Sequence, residues 1–476
     1  MKTAYQLILS ILAALAMTLG AVPVSAAIPI SGRPVPTMNV FDSTVTSFMN
    51  QWGVEAGLVG IMRSNRVVYQ RGFGSMDAGV DMPENAMVRQ ASATKPATAA
   101  AIRKLAERGA FGPDGLERRA FHITIRSVSN NGLLEIAPSP SLGDTRASSI
   151  TLKHLLEHRG GFDRNDANGP GDTPLRPRTV AAALDVPSPP SRLDVINYTL
   201  GWPLTTAPGA KVDYSNFGYL VLGEIINQVW PAGYVDCLHS LVFTPDMWVP
   251  QSELEGGYTL RITRNPREPW YRGGGTGNSV FDNTPPIDQL DVNYGGLFYM
   301  QTLLAHGGLV VSAPTMLALG NAYQMDYPNI GSINPTSGEE HGGALRGAQT
   351  VLHRRSDGVV LYIFINKRWV DDSGSGDQVP IDTLKNSLNA LINAGNGNGW
   401  SWPDTTSDGY WVIPTSALPD TGLGGFDSPW RGFGPALTKA GPNTRLRLKS
   451  GTASWTGTIS KNLLIDAPLG PVVIGQ

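Results

Sequence analysis

Apolar and polar positions alternate along this chain in blocks that change period several times. FDSTVTSFMNQWG (residues 41–53) reads as a helix, and GLVGIMRSNRVVYQRGFG after it reads as two apolar runs about a polar turn, a hairpin. A helix-rich middle follows, interrupted by Pro/Gly-rich loops such as DVPSPPSR and REPWYRGGGTGN. Hairpin patterning returns in AQTVLHRR, Ser356-Asp357-Gly358 and VVLYIFIN, and IDTLKNSLNALINA closes this part as a helix. Strands at both ends with helices between them predict an α+β domain, one antiparallel sheet completed by distant segments and flanked by helices, with a helical subdomain inserted. NAGNGNGWSWPDTTSDG reads as a linker, and TRLRLKSGTASWTGTISKNLLIDAPLGPVVI as a small β-rich tail without helical periodicity. The expected organisation is therefore residues 1–26, 27–395 and 396–476, with no internal repeat.

Within the middle region, PATAAAIRKLAERG places Ala97, Ala101, Ile102, Leu105 and Ala106 on one face of a helix. Pro96 fits only its first turn, which puts Ser92 at the helix start and Lys95 one turn further along the same side. Two readings stand open at this point: an activated nucleophile, or an N-cap serine beside a surface lysine. A nucleophilic serine needs a base, and a lone lysine does not easily both take a proton and deliver it to a leaving group. Tyr214, in TAPGAKVDYSNFGYLVLGEIINQV, offers a partner if a nearby ammonium lowers its phenol from a pKa of about 10. Tyr327-Pro328-Asn329 has a similar outline but reads as a plain turn. The strand beginning EEHGGALRG carries glycines at 342 and 343 that permit close approach to a substrate, so that the N–H groups of Ala344 and Ser92 can face an oxyanion.

Bulk properties narrow the field. The chain has 476 residues, a net charge of -2 and 41% hydrophobic residues, and it lacks a basic block, which argues against nucleic acid or an anionic membrane as a main partner. Met1-Lys2, an apolar run and Val24-Ser25-Ala26 predict a signal peptide cut after Ala26 or Ala27, hence a periplasmic or secreted product with no membrane span once it is removed. Cys237 is the single cysteine, so no internal disulfide is expected, and its apolar surroundings point to a buried thiol.

Taken together, Ser92-x-x-Lys95, Tyr214-x-Asn216 and His341-x-Gly343 resemble, in that order, the three motifs of the serine β-lactamase-related hydrolases: class C β-lactamases, DD-peptidases and β-lactamase-like esterases. ITLKHLLEHRGGF and AHGGLVVSAPTML resemble further segments of that family, and the match covers roughly residues 40–395. The resemblance implies that Ser92 attacks an acyl carbon, that Lys95 and Tyr214 share the acid–base work, and that Asn216 binds substrate and helps hold Lys95. It also implies substrate contacts from His341, Gly343 and Ala344, and no metal or organic cofactor. His341 stands where class C β-lactamases carry lysine, and a neutral imidazole anchors a carboxylate less well. That departure shifts the expected substrate towards small esters, peptides or amides of D-amino-acid type, ahead of β-lactams, with Arg346 able to restore some positive charge.

Three rivals are weaker. His154-Leu155-Leu156-Glu157-His158 matches an inverted zinc-protease motif, but no convincing third ligand follows it. The remaining histidines, His122, His239, His306 and His353, show no ligand spacing and read as structural. A non-catalytic receptor on the same fold is disfavoured because all three motifs are intact. In the tail, Trp402, Trp411, Trp430 and Trp455 read as packing residues more readily than as a ligand platform.

Overall fold

The computed structural model describes residues 27–476 apart from 126–127, 130, 248, 337, 372–373, 396, 398, 404–408, 416–419, 421, 423, 426–428, 443, 468–470 and 476. The apolar leader at 1–26 lies outside the described residues, as do parts of the segment read as a linker. In chain order the principal elements are α1 (Asn39–Trp52), β1 (Ala56–Arg63), β2 (Arg66–Asp77), α2 (Lys95–Glu107), α3 (Asn216–Val229), α4 (Met300–Gly307) and α5 (Ala313–Ala322). They are followed by β3 (Glu339–Leu345), β4 (Ala348–Arg354), β5 (Val360–Ile365) and α6 (Ile381–Ala394).

The five long strands form one antiparallel sheet in the order β2-β1-β5-β4-β3, and Ile30–Ser31 adds a short outer strand beside β2. The β1–β2 turn is Ser64-Asn65, both residues at positive φ, which matches the twist of a tight hairpin. The two ends of the domain meet where β5 pairs with β1, from Val360↔Met62 to Ile365↔Gly57. Alternation on β5 then decides the layers. Leu361, Ile363 and Ile365 join Val59 and Ile61 against α1 and α6, whereas Val360, Tyr362 and Phe364 join Leu58 and Met62 in the larger core with α2, α3 and α5. Both sheet faces are covered, which is why β1 is buried at every position but the last.

A second, three-stranded sheet (Leu254–Gly256, Leu309–Ser312 and Met87–Arg89) links the helical region to the strand entering α2. Arg89 is completely buried there. It pairs with Glu268 at 3.1 Å and donates to the carbonyls of Asn293 and Tyr258, tying the Gly-rich loop to the core. Among the described residues no helix is long and apolar enough to cross a membrane.

The tail is β-rich, but its strands pair in parallel. Tyr410–Ile413, Trp430–Arg431, Arg445–Leu448 and Leu464–Asp466 stack, and a short helix, Phe433–Lys439, covers them. It docks on the main body through Lys449 Nζ, which donates to the Met247 carbonyl at 2.9 Å, and Arg66, which donates to the Gly409 carbonyl at 2.7 Å. Its tryptophans pack: Trp411 is buried, Trp430 stacks on Tyr410 and Trp455 meets Phe433 edge-on. Trp402 meets Trp400 edge-on, and Trp400 in turn packs on Phe41, so the expected linker begins inside the main core.

Candidate active site

The serine turn is clamped from three sides before it starts. Buried Gln90 donates to the Val88 carbonyl, accepts from the Tyr362 hydroxyl at 3.0 Å, and its own carbonyl accepts from Thr350 Oγ1 at 2.9 Å. Ala91 is thereby held at φ 48°, a left-handed conformation that costs an alanine about 1–2 kcal/mol. This reversal feeds a single 3-10 turn, Ala91–Thr94, straight into α2, with Pro96 in the first turn where its missing N–H does no harm. Ser92 is partly exposed at the turn, while Lys95 is completely buried, which removes the surface-lysine reading.

Lys95 Nζ has three polar neighbours: Ser92 Oγ at 3.1 Å, Asn216 Oδ1 at 2.9 Å and the His306 carbonyl at 2.8 Å. Asn216 is oriented in turn, because its Nδ2 donates to Asp172 Oδ2 at 2.8 Å and so leaves Oδ1 for the lysine. The Tyr214 hydroxyl donates to Ser92 Oγ at 2.7 Å. The tyrosine and asparagine arrive together because Ser215 between them is the N-cap of α3, accepting from Gly218 N–H, with Asn216 opening the helix. Behind Tyr214 lies His158, whose Nδ1 accepts from Ser215 N–H and whose Nε2–H donates to the Tyr327 hydroxyl at 2.7 Å.

Burial sets the protonation of this group. It pushes Lys95 well below the usual lysine range, an effect the Asp172 carboxylate opposes and Arg164 reinforces. Burial also pushes Tyr214 up to about 12, against the pull of its Ser92 hydrogen bond and Arg164. The expected lowering of the phenol is therefore not what the structure shows; desolvation outweighs the neighbouring cations, and the lysine is the group moved towards neutrality.

Edge strand β3 closes the opposite wall. A Cβ at Gly343 would lie 2.2 Å from the Gln90 carbonyl oxygen and 2.5 Å from Thr350 Oγ1, so only glycine lets β3 come this close to the serine turn. The β3–β4 loop is just Arg346-Gly347, with Gly347 at φ 67°. Counting back from its closing pair, Leu345↔Ala348, Gly343 shares hydrogen bonds with Thr350, and the Ala344 N–H points off the sheet edge. Ser92, Tyr214, Asn216, Gly343 and Ala344 line one cavity of about 540 Å³.

Other sequence candidates stay outside the cavity lining. His341 is buried and does not line the cavity; its Nδ1–H donates to the Met325 carbonyl, and burial holds its pKa down to about 4, so it is neutral at physiological pH. Arg346 also stays out of the cavity, its guanidinium donating to the carbonyls of Gly274 and Gly374. His154 and His158 share no helix face, since that helix ends at Leu156 and His158 has φ 58°. Cys237 is buried and its thiol is pushed up to about 12, an inert state.

Sequence reasoning missed five neighbours. Tyr327, read as part of a plain turn, braces His158, and His306, read as structural, lends its carbonyl to Lys95. Asp172, Arg164 and Arg368 come from loops whose composition carries no signal for them.

A serine hydroxyl flanked by a buried amine and a buried phenol, at a helix start and beneath an edge strand, is the setting of a serine hydrolase. The Beta-lactamase family model matches residues 41–374. The chain belongs to the β-lactamase family. An Escherichia coli protein provisionally named D-alanyl-D-alanine carboxypeptidase is 29% identical over 218 residues, 42% of this chain and 45% of the relative. The Staphylococcus aureus protein Flp is 25% identical over 197 residues, 40% of this chain and 34% of the relative. The chain thus spans less than half the length of these curated relatives. Among solved structures, the D-amino acid amidase from Ochrobactrum anthropi complexed with L-phenylalanine shares the fold, with a TM-score of 0.51 and 18% identity over 75% of this chain and 99% of that one.

Proposed function

We propose that the protein is an exported hydrolase that forms an acyl-enzyme on Ser92 and releases small acyl groups of D-amino-acid amide, peptide or ester type to water. The observation that carries this reading is the environment of Lys95 Nζ. Asn216 Oδ1 and the His306 carbonyl each require an N–H, so a neutral amine is left with its lone pair facing the Ser92 hydroxyl. Ser92 Oγ bonds to the acyl carbon as its proton passes to Lys95, and the N–H groups of Ser92 and Ala344 hold the oxyanion. The adduct collapses when the leaving nitrogen or oxygen takes a proton from Tyr214, whose phenolate recovers one from the lysine ammonium. Water then attacks the acyl-enzyme with the same groups in reverse, and Ser92 regains its proton. Residues 1–26 direct export to the periplasm or exterior, 27–395 form the hydrolase domain, and 396–476 are an extension. The name of the Escherichia coli relative points to the same substrate class.

Neutral, buried His341 supplies no cation of its own for a lactam carboxylate, so this position gives a true β-lactamase no advantage. Turnover of a short-chain p-nitrophenyl ester and of a chromogenic cephalosporin by the mature protein tests this. The expected kcat/KM is higher for the ester, and a dominant cephalosporin rate would instead identify a β-lactamase.

Asp172 acts as a positioning residue in this scheme. Asp172→Asn is expected to lower kcat roughly 10- to 100-fold, because either amide orientation of Asn216 becomes possible. The pH profile separates this from a mere packing defect. The wild-type rate rises with pH as Lys95 loses its proton, and since Asp172 raises the lysine pKa, the variant's rising limb must move to lower pH. A limb that stays in place at reduced rate would reject the assignment.

A further inference from the structure

The extension carries a cavity of its own, of about 330 Å³, which shares no lining residue with the one at Ser92. Its walls are the short helix Phe433–Lys439 and the loop that runs from the strand Gly451–Ala453 to Leu464–Asp466. Trp455 stands between them, half-buried and held in one orientation. Its ring meets Phe433 edge-on at 5.2 Å, and a Cβ at Gly434 or Gly457 would come within 2.9 or 2.7 Å of it, so both positions need glycine to make room for the indole. Among the described residues nothing takes up the Trp455 indole N–H or the hydroxyls of Thr458 and Ser460, all on this wall. Leu437 and Leu463 add half-buried aliphatic surface. Among the described residues a single charged group lines the cavity, and it is already committed. Lys461 Nζ donates to the carbonyls of Leu437, Thr438 and Ala440 at 2.9, 3.1 and 2.8 Å, where the helix ends.

We propose that this cavity binds a neutral sugar, so that the extension anchors the protein to a glycan. The chemistry of the walls selects that class. With the lysine committed and no carboxylate on the lining, a charged ligand would lose its water without gaining a counter-ion. A wholly apolar ligand would strip water from the indole N–H and two hydroxyls and return nothing to them. A sugar ring answers both demands. Its C–H face lies on the indole, while hydroxyls on its rim accept from the N–H and exchange hydrogen bonds with Thr458 and Ser460. The volume stands at the lower end of ordinary small-ligand sites, about 300–1,000 Å³, which suits a sugar unit and its linkage. Among the four tryptophans singled out in the tail, Trp455 thus packs on one edge and presents the rest of its ring to a ligand. None of the residues assigned to catalysis takes part, so binding here and turnover at Ser92 are separable.

Isothermal titration of the mature protein with three neutral trisaccharides supplies the test: β-1,4-linked glucose, α-1,4-linked glucose and β-1,4-linked N-acetylglucosamine. At least one is expected to bind, and Trp455→Ala should weaken it by at least about tenfold. Because that change also removes packing on Phe433, a second variant leaves the core alone. Thr458→Ala combined with Ser460→Ala, both at exposed positions, should weaken the same sugar by about two- to tenfold. Hydrolysis of a soluble p-nitrophenyl ester should be unchanged in the hydroxyl variant. Failure of all three sugars to bind at millimolar concentration overturns the proposal, as does binding that either variant leaves intact. A wild-type dimer that Trp455→Ala dissociates in analytical ultracentrifugation would also overturn it, since the cavity would then be an interface between copies of the chain.

Discussion

Ser92→Ala is expected to reduce turnover to background on every ester and amide tested, with the fold unchanged. The side chain makes two hydrogen bonds, to Lys95 and Tyr214, and both partners have other support: the lysine keeps Asn216 and the His306 carbonyl, and the phenol keeps its seat against His158. Removing the hydroxyl therefore deletes the proposed nucleophile and little else. Intact-mass spectrometry after a slow acylating substrate checks this directly. A mass increment should appear on the wild type and be absent from the variant. Residual turnover above one-thousandth of wild type would mean that another group, or a directly activated water, performs the chemistry.

The second large effect is at Lys95. Lys95→Ala should lower kcat by about 10³- to 10⁴-fold, the upper part of the range for losing a general base, and Tyr214→Phe by less. The ordering follows from burial. The amine is pushed towards its neutral, basic form, whereas the phenol is raised to about 12 and stays protonated, so it serves as a donor in the resting enzyme. Single-turnover kinetics on an activated ester separates the two. A p-nitrophenolate leaving group needs no proton, so Tyr214→Phe should recover most of its acylation rate there, while Lys95→Ala should not. Equal losses on that ester would make the tyrosine the base and reverse the assignment.

Much of this arrangement is legible from the chain. Proline at 96 fixes where α2 begins and so how Ser92 and Lys95 face, and the Pro-Gly turn ahead of an amphipathic run locates Tyr214 and Asn216. The two hairpins at opposite ends of the domain declare a shared sheet, which the β1–β5 pairing completes. Loops are where legibility ends. Asp172, Arg164 and Arg368 act through positions set by tertiary packing, and no local period or motif marks them. The same limit explains the expectation placed on Arg346: it is near His341 in sequence, yet the tight turn at Gly347 carries its side chain to the loops at 274 and 374. His341 was legible as a residue but not as a buried one, because edge-strand alternation does not say which face is covered.

The β1–β5 pairing also has a consequence for how the molecule comes into being. The partners Met62 and Val360 are separated by nearly the whole domain, and the Gly343 strand must then settle against a turn made some 250 residues earlier. Contacts of such long separation form late and slowly, since the intervening chain must be gathered before they reward it. During synthesis the first hairpin and the serine turn must therefore wait, without their sheet neighbours, until the last third of the domain has emerged. Ala344 is not yet beside Ser92 in that interval. For most of the time it takes to make it, the growing chain therefore lacks the contacts that complete the sheet and the wall facing the serine turn.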